Sequence, residues 1–112
     1  MNRHVTVALL SIVLTACSGR ATFVVANDSK EPIRSAVVEV LGTAVELGQI
    51  GPGEKATGEV VVGSDDEYHV TIRFQSGRML DRRLGYVTSG VAIRDQLSVS
   101  ETDIVLKRVV VK

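Results

Sequence analysis

The chain has 112 residues, enough for one domain and too few for two. Its 13 Lys and Arg residues balance its 13 Asp and Glu residues, so no strong positive field draws it to nucleic acid. Two Phe, two Tyr and no Trp give little surface for stacking on bases or sugars. One cysteine excludes an internal disulfide, and with two histidines it leaves no metal site built on His and Cys.

Residues 1–16 are predicted to be a cleavable signal peptide. Arg3 supplies a positive charge, and the apolar stretch Val5–Leu14 has the length of a signal-peptide core. It is too short to cross a bilayer, which takes about 20 apolar residues. Leu14-Thr15-Ala16-Cys17 then presents an aliphatic residue, two small residues and a cysteine. This sequence resembles the lipobox of bacterial lipoproteins.

The resemblance implies how the chain is processed. Cys17 would gain a diacylglycerol thioether, signal peptidase II would cleave between Ala16 and Cys17, and the new amino terminus would receive a palmitate-like acyl chain. The product would be a lipid-anchored protein of the bacterial cell envelope. Ser18 after the cysteine, rather than Asp, favours the outer membrane facing the periplasm of a Gram-negative cell. The alternative is an ordinary secretory signal, or a buried first strand, with an accidental cysteine.

Residues 17–20 are predicted to be the lipidated cysteine with a short tether, and residues 21–112 a single all-β domain. No stretch keeps a helical apolar stripe over three turns, and Val-rich runs alternate with turn residues. About seven antiparallel strands in a small β-sandwich are expected. They come from eight candidate runs: Ala21–Ala26, Ile33–Leu41, Ala44–Leu47, Lys55–Val62, Tyr68–Phe74, Arg78–Leu84, Val91–Val99 and Asp103–Val111.

The hairpin of Tyr68–Phe74 with Arg78–Leu84 has two possible registers. A two-residue loop would place charged residues on the apolar face. A three-residue loop ending at Gly77 pairs Ile72 with Leu80 and gives the glycine the left-handed position that such loops require. A one-residue shift in register would move every side chain of the strand to the opposite face of the sheet, so the three-residue loop, which keeps the apolar residues on one face, is preferred.

Two features are predicted for the C-terminal third of the chain. Gly85–Gly90 is expected to be a loop, in which Tyr86 either packs as an anchor or serves as an exposed binding residue. Asp95 interrupts an inward-facing apolar series, so a β-bulge is expected near Arg94-Asp95. The last strand is interrupted by charges, as is typical of an edge strand, at Lys107, Arg108 and Lys112.

A second resemblance concerns the domain. The segment 47–56, with an aliphatic-x-Pro-Gly turn that leads into Glu59–Val62, resembles bacterial immunoglobulin-like modules, as do Val24–Asn27 and Pro32-Ile33. It implies an immunoglobulin-like sandwich, although the Cys…Trp…Cys signature of antibody domains is lacking. The mature chain is also similar to small proteobacterial lipoproteins, a family of unknown function, which implies no activity.

No catalytic residue, metal or cofactor is predicted, and the protein is not expected to be an enzyme. The mature chain's one histidine, His69, is interpreted as a solvated strand residue rather than a catalytic base. Asp65-Asp66-Glu67 lacks the ligand pattern of a calcium loop and is interpreted as a solvated turn. The arginines at 73, 78, 82 and 83 are interpreted as edge and solubility charges.

The predicted function is that of a non-catalytic interaction or structural module of the envelope. The alternatives are an anchored inhibitor of a periplasmic hydrolase, with Gly85–Gly90 as its loop, and a small-ligand carrier. Candidate partner-binding residues are His69, Arg73, Arg83 and Tyr86. The first three share an outer face with Thr71, Asp81 and Met79, which predicts a compact, mostly cationic patch for an acidic partner, headgroup or polymer.

Overall fold

The computed structural model describes residues 19–88 and 93–110, which form eight β-strands in two four-stranded sheets. These ranges contain no helix, and so no helix long and apolar enough to cross a membrane. The predicted all-β sandwich is therefore confirmed. The predicted signal peptide, with Ala16 and Cys17, lies outside the described residues. The strands are β1 (Gly19–Asn27), β2 (Ile33–Val40), β3 (Thr43–Glu46), β4 (Lys55–Val62), β5 (Asp66–Phe74), β6 (Met79–Val87), β7 (Ile93–Val99) and β8 (Ile104–Val110).

Sheet A has the strand order β4-β1-β7-β8, and sheet B has the order β3-β2-β5-β6. One pair is parallel, which the sequence analysis did not expect: β1 lies beside β7, with Ala21 opposite Ile93 and Asn27 opposite Val99. Parallel neighbours need a long connection between them. Here the connection from β1 to β7 contains all four strands of sheet B and the edge strand β4 of sheet A, and it has no helix in the described residues.

The two sheets pack through an aliphatic core produced by period-two alternation. Phe23 of β1 meets Tyr68 of β5 edge to face, with ring centroids 5.9 Å apart. Gly58 of β4 leaves the space for Phe23, since a Cβ there would lie 2.5 Å from its Cζ. The fully buried large side chains of the core are Tyr68, Phe23, Phe74, Ile33, Ile50, Ile72, Leu97, Val25, Val38, Val40, Val62 and Val70.

The preferred hairpin register is confirmed. Ile72 pairs with Leu80. The turn closes with Phe74 N–H donating to the Arg78 carbonyl at 2.8 Å. Gly77 adopts a φ of 96°, the left-handed region that the three-residue loop requires.

Three local predictions need correction. The bulge predicted at Arg94-Asp95 is wrong, because the pairing of β7 runs without a shift on both sides. The bulge lies instead in β6, where Gly85 has a φ of 73° and the pairing with β5 jumps, so residues 85–87 belong to the strand and not to a loop. β1 begins at Gly19, so two of the residues predicted as tether are in the sheet.

The sandwich has two ends that carry different parts of the chain. The Gly19 end is defined by Gly19 and its partner Val62, by the start of β5 at Asp66, and by Val87 opposite Asp66. β7 also begins there, since Ile93 lies beside Ala21. The opposite end carries the turns at 28–32, 51–54, 75–77 and 100–103, which hydrogen bonds join to one another.

Candidate functional site

The predicted partner-binding residues of the hairpin do share one surface, the outer face of sheet B. His69 and Arg73 on β5 alternate with buried residues, and Arg83 on β6 lies directly opposite His69. The neighbouring strand β2 adds Glu39, which pairs with His69 from the other side. With Asp81 of β6, these residues form the outer patch: Glu39, His69, Arg73, Asp81 and Arg83.

Two carboxylates hold the His69 ring. Its Nε2 lies 2.6 Å from Asp81 Oδ1, and its Nδ1 lies 3.6 Å from Glu39 Oε1. A general base needs the reacting proton within hydrogen-bond reach of a free ring nitrogen. Both nitrogens face carboxylates here, and the side chain keeps 25% of its surface exposed. The geometry fits a strand residue in a surface charge network.

The outer patch is mixed in charge, whereas a mostly cationic patch was predicted. Glu39 and Asp81 offset the charge of the two arginines, and the prediction missed Glu39 because it comes from a strand outside the hairpin. Within the described part of the chain, neither Arg73 nor Arg83 forms an ion pair within 4.0 Å. These two guanidinium groups are the cations that the patch leaves available.

A small concavity lies where the outer patch meets the Gly19 end. It encloses about 120 Å³ and is lined by Glu39, Leu41, Gly42, Asp66, Glu67, His69 and Arg83. Asp66 Oδ2 accepts a hydrogen bond from Leu41 N–H at 2.8 Å, which lowers the pKa of this carboxyl below its usual value. The volume suits a few water molecules rather than a drug-sized ligand.

The turn predicted at 65–67 needs correction, because Asp66 and Glu67 belong to β5, which begins two residues before the predicted strand start at Tyr68. Their side chains take part in the concavity rather than facing bulk water alone. Among residues 19–88 and 93–110, no group of three or more His, Cys, Asp and Glu side chains is arranged to hold a metal ion.

A buried polar cluster joins the two sheets, and the sequence analysis did not find it. Asp95 of β7 has no exposed side-chain surface, and Arg108 of β8 donates to it from Nε at 2.8 Å and from Nη2 at 3.1 Å. Tyr68 of β5 donates its hydroxyl to Asp95 Oδ2 at 2.6 Å. Burial, with the hydrogen bond to Asp95, raises the pKa of Tyr68, while the hydrogen bond that Arg108 donates to Asp95 raises the pKa of Arg108.

The sequence did contain a signal for this cluster. Asp95 keeps the inward parity of Leu97 and Val99, and a strand without a bulge must place that carboxylate in the core. Arg108, predicted as an edge charge, turns inward to meet it. A buried carboxylate is stable only with a partner of opposite charge, so an inward-facing Asp on one strand predicts an inward-facing Arg or Lys on a neighbouring strand.

The remaining hairpin arginines stabilise the opposite end. Arg78 stacks 4.2 Å above the Phe74 ring and donates to Glu31 at 3.1 Å and to the Glu101 carbonyl. Hydrogen bonds from Ser76, with smaller contributions from Arg78, lower the pKa of Glu31. Arg82 likewise reaches the rim of the sandwich, where it pairs with Asp103 at 3.1 Å.

Tyr86 does not pack as a loop anchor. It lies on β6 just after the Gly85 bulge, with 55% of its surface exposed. The structure places it at the Gly19 end, away from Arg73, so the four candidate partner-binding residues do not form a single site.

A second open groove, of about 360 Å³, crosses the outer face of sheet A between Val24, Arg94, Asp95, Gln96 and Lys107.

Comparison with known proteins supports the fold but identifies no family for the chain. No model of a known protein family matches the chain, and no curated protein matches it. Among solved structures, it is similar to a protein from Eubacterium rectale determined by NMR, with 18% identity, a TM-score of 0.60, and coverage of 79% of this chain and 86% of that one. The chain is therefore a small all-β domain with a structural neighbour in a bacterium.

Proposed function

We propose that this chain is a lipid-anchored protein of a bacterial cell envelope and that its β-sandwich is a non-catalytic interaction module. The observation that carries the proposal is Leu14-Thr15-Ala16-Cys17, which ends an apolar stretch of signal-peptide length and contains the chain's single cysteine. β1 begins at Gly19, so Ser18 alone separates the cysteine from the first strand. Two or more acyl chains on Cys17 would hold the domain firmly at the membrane, and Ser18 favours the outer membrane.

The anchoring is tested by Cys17→Ser. The wild-type protein should take up labelled palmitate and sediment with membranes, because the thiol is the attachment point. The variant should take up no label and keep its signal peptide. Ser18→Ala is the matched control, and it should retain both label and membrane fraction. A wild-type protein without label in the soluble fraction would remove the lipoprotein proposal.

Two observations support an interaction module over the alternatives, and a third concerns the type of sandwich. A carrier would need an enclosed apolar cavity of about 300 to 1,000 Å³, whereas the core here is filled by side chains and the two concavities described are open to the surface. An inhibitor would need a protruding loop, and residues 85–87 of the proposed loop lie in β6. The Gly51–Glu54 turn and the two four-stranded sheets support assignment to the immunoglobulin-like sandwiches.

Arg73 and Arg83 are the proposed partner contacts within the outer patch. Both lie on the outer face of sheet B without an ion-pair partner within 4.0 Å in the described residues, so their guanidinium groups can bind carboxylates or phosphates of another molecule. Arg73 is the more available of the two, because Arg83 lines the concavity with Asp66 and helps to lower the pKa of that carboxyl. Interface arginines often contribute a large share of binding energy. Glu39 and Asp81 beside them favour a partner that carries charges of both signs.

The test is the double variant Arg73→Glu with Arg83→Glu, compared by chemical crosslinking in cells and mass spectrometry. Its matched control is Arg94→Glu with Lys107→Glu on the outer face of sheet A, which makes the same net change in charge. Exposed charges couple weakly, so each variant should change stability by no more than about 1 kcal/mol. Crosslinked partners should disappear in the patch variant and persist in the control. Partners that persist in both would show that the patch is only a solvated face.

A further inference from the structure

We propose that the outer face of sheet A is a binding surface for an anionic polysaccharide, with Arg94 and Lys107 as its central contacts. The inference goes beyond the proposed function, because it requires neither the lipid on Cys17 nor a protein partner. It follows from the distribution of charge over this face and from the open groove that crosses it.

Positive charge is concentrated on the outer face of sheet A. The whole chain balances 13 cationic residues against 13 acidic ones, and the outer patch on sheet B mixes both signs. Strand alternation and pairing place four cationic side chains and one carboxylate among the described residues of this face, namely Arg20, Lys55, Arg94, Lys107 and Glu59. A surface with this excess attracts anionic ligands.

Three of the four cations lack an ion-pair partner. Arg20 pairs with Glu59 at 2.6 Å, which neutralises the one carboxylate of the face. Lys55, Arg94 and Lys107 form no ion pair within 4.0 Å in the described part of the chain. A bound anion therefore gains these contacts without first breaking a contact within the domain.

The spacing of these three cations favours a polymer over a small anion. Lys107 lies opposite Gln96, two residues along β7 from Arg94, so the Cα atoms of Arg94 and Lys107 are about 8 Å apart. Lys55 lies opposite Ala26, two strands from β7, and its Cα is about 16 Å from that of Arg94. A single carboxylate or phosphate is too small to contact all three, whereas a chain with repeated carboxylates can.

The backbone and the uncharged side chains of this face indicate which class of polymer it fits. β1 and β7 are each paired on both sides, so a peptide cannot bind at the centre of the face by adding a strand. No aromatic side chain lies on the face among the described residues, which removes the stacking on which nucleobases depend. Side chains with hydroxyl and amide groups, which can hydrogen-bond sugar hydroxyls, are instead present at Thr22, Thr57, Gln96 and Ser98.

The groove supplies the central position for one sugar unit. Val24 lies in one row with Gln96 and Lys107, and its short side chain leaves room between the longer ones of Lys107 and Arg94. Gln96 Nε2 donates to Ser98 Oγ at 3.0 Å, which holds both side chains beside the groove. The apolar C–H face of a sugar ring would pack on Val24, while its carboxylate would accept two parallel hydrogen bonds from Arg94.

The experiment uses the full-length protein in a non-ionic detergent and fluorescently labelled galacturonic acid oligomers that are long enough to span about 16 Å. Fluorescence anisotropy measures the Kd. Arg94→Glu with Lys107→Glu should raise the Kd at least about tenfold, because it reverses the charge of both central contacts. The matched control, Arg73→Glu with Arg83→Glu, makes the same net change on the other sheet, and screening should keep its effect below about twofold at physiological salt.

Three further measurements test the polymer class. Neutral maltose oligomers of the same length should not bind, and raising NaCl from about 50 to 200 mM should weaken binding of the acidic oligomer about tenfold. Lys55→Glu should weaken the long oligomer and leave the galacturonate monomer unaffected, since only the oligomer reaches that side of the face. Unchanged circular dichroism spectra verify that each variant is folded.

Several outcomes would overturn the inference. Equal losses in the two double variants would mean that binding follows total charge and not this face. A glutamate polymer of equal charge that binds as tightly as the oligomer would indicate an acidic protein segment as the ligand. Absence of binding by the wild-type protein would remove the surface altogether. Because the ligand is not a protein, Arg94→Glu with Lys107→Glu should keep the crosslinked partners of the outer patch, so this inference and the proposed function can fail separately.

Discussion

Replacing Arg108 with Met is the most informative change to the fold, because it breaks the buried cluster at one partner. Asp95 has no exposed side-chain surface, and Arg108 is 27% exposed, so the pair is shielded from water. Removing one partner of a buried ion pair leaves the other charge uncompensated, which costs about 3 to 5 kcal/mol. Since Arg108 reaches water at its edge, we expect the lower value, about 3 kcal/mol. The total free energy of unfolding of a domain of this size is about 5 to 15 kcal/mol, so a loss of this kind is a large part of it.

Urea unfolding followed by circular dichroism measures the loss. With a slope of roughly 1 to 1.5 kcal/mol per molar urea, the midpoint should fall by about 2 to 3 M. Lys107→Met is the matched control, since it removes an exposed charge from the neighbouring position and should change stability by no more than about 0.5 kcal/mol. A loss below about 1 kcal/mol for Arg108→Met would refute the reasoning, because it would mean that water reaches Asp95.

A variant that removes the whole cluster distinguishes the effect of the unpaired Asp95 charge from the effect of losing the Arg108 side-chain packing. Tyr68→Phe with Asp95→Val and Arg108→Met removes every polar member of the cluster and keeps the changes in volume small. Replacing a buried ion pair by apolar residues is often neutral or stabilising, so this triple variant should recover most of the stability that the single variant loses. If it is instead as unstable as the single variant, the loss comes from packing of the arginine stem and not from the stranded carboxylate.

Two further predictions concern the core and the response to acid. Gly58→Ala should cost about 1 to 3 kcal/mol in urea unfolding, because its Cβ would lie 2.5 Å from a Phe23 ring that is fully buried and cannot swing out. The Leu41 hydrogen bond lowers the folded-state pKa of Asp66 below the ordinary value of 3.8 that the unfolded chain would have, so the stability that it supplies is present above pH 3.8 and is lost as the pH falls through the folded value. Asp66→Asn should therefore flatten the fall in urea midpoint between about pH 4 and 2, and an unchanged slope would show that this carboxylate does not contribute.

The sequence was sufficient where a local pattern determines the structure. Alternation of apolar residues placed the strands, and the three-residue loop at Gly77 placed the hairpin in its observed register. The sequence alone was insufficient to predict contacts between residues that lie on different strands. The carboxylate of Asp95 was interpreted as a break in the strand, because the arginine that compensates it lies thirteen residues away on the next strand. Glu39 was missed for the same reason, since only the pairing of β2 with β5 brings it to His69.

In the proposed function the lipid on Cys17 would hold the Gly19 end, where β1 begins, close to the membrane, and this bears on how a partner would reach the outer patch. Glu39, His69 and Arg83 form one row across sheet B near the Gly19 end, and Arg73 lies four residues further along β5. At about 3.3 Å per residue, Arg73 would stand about 13 Å further from the bilayer than His69. Arg83 would then be accessible only to a partner close to the membrane surface, while Arg73 would be open to partners from the solvent. Arg73→Glu alone should therefore weaken binding of a soluble partner, whereas loss of binding only with Arg83→Glu would indicate a partner that is itself at the membrane.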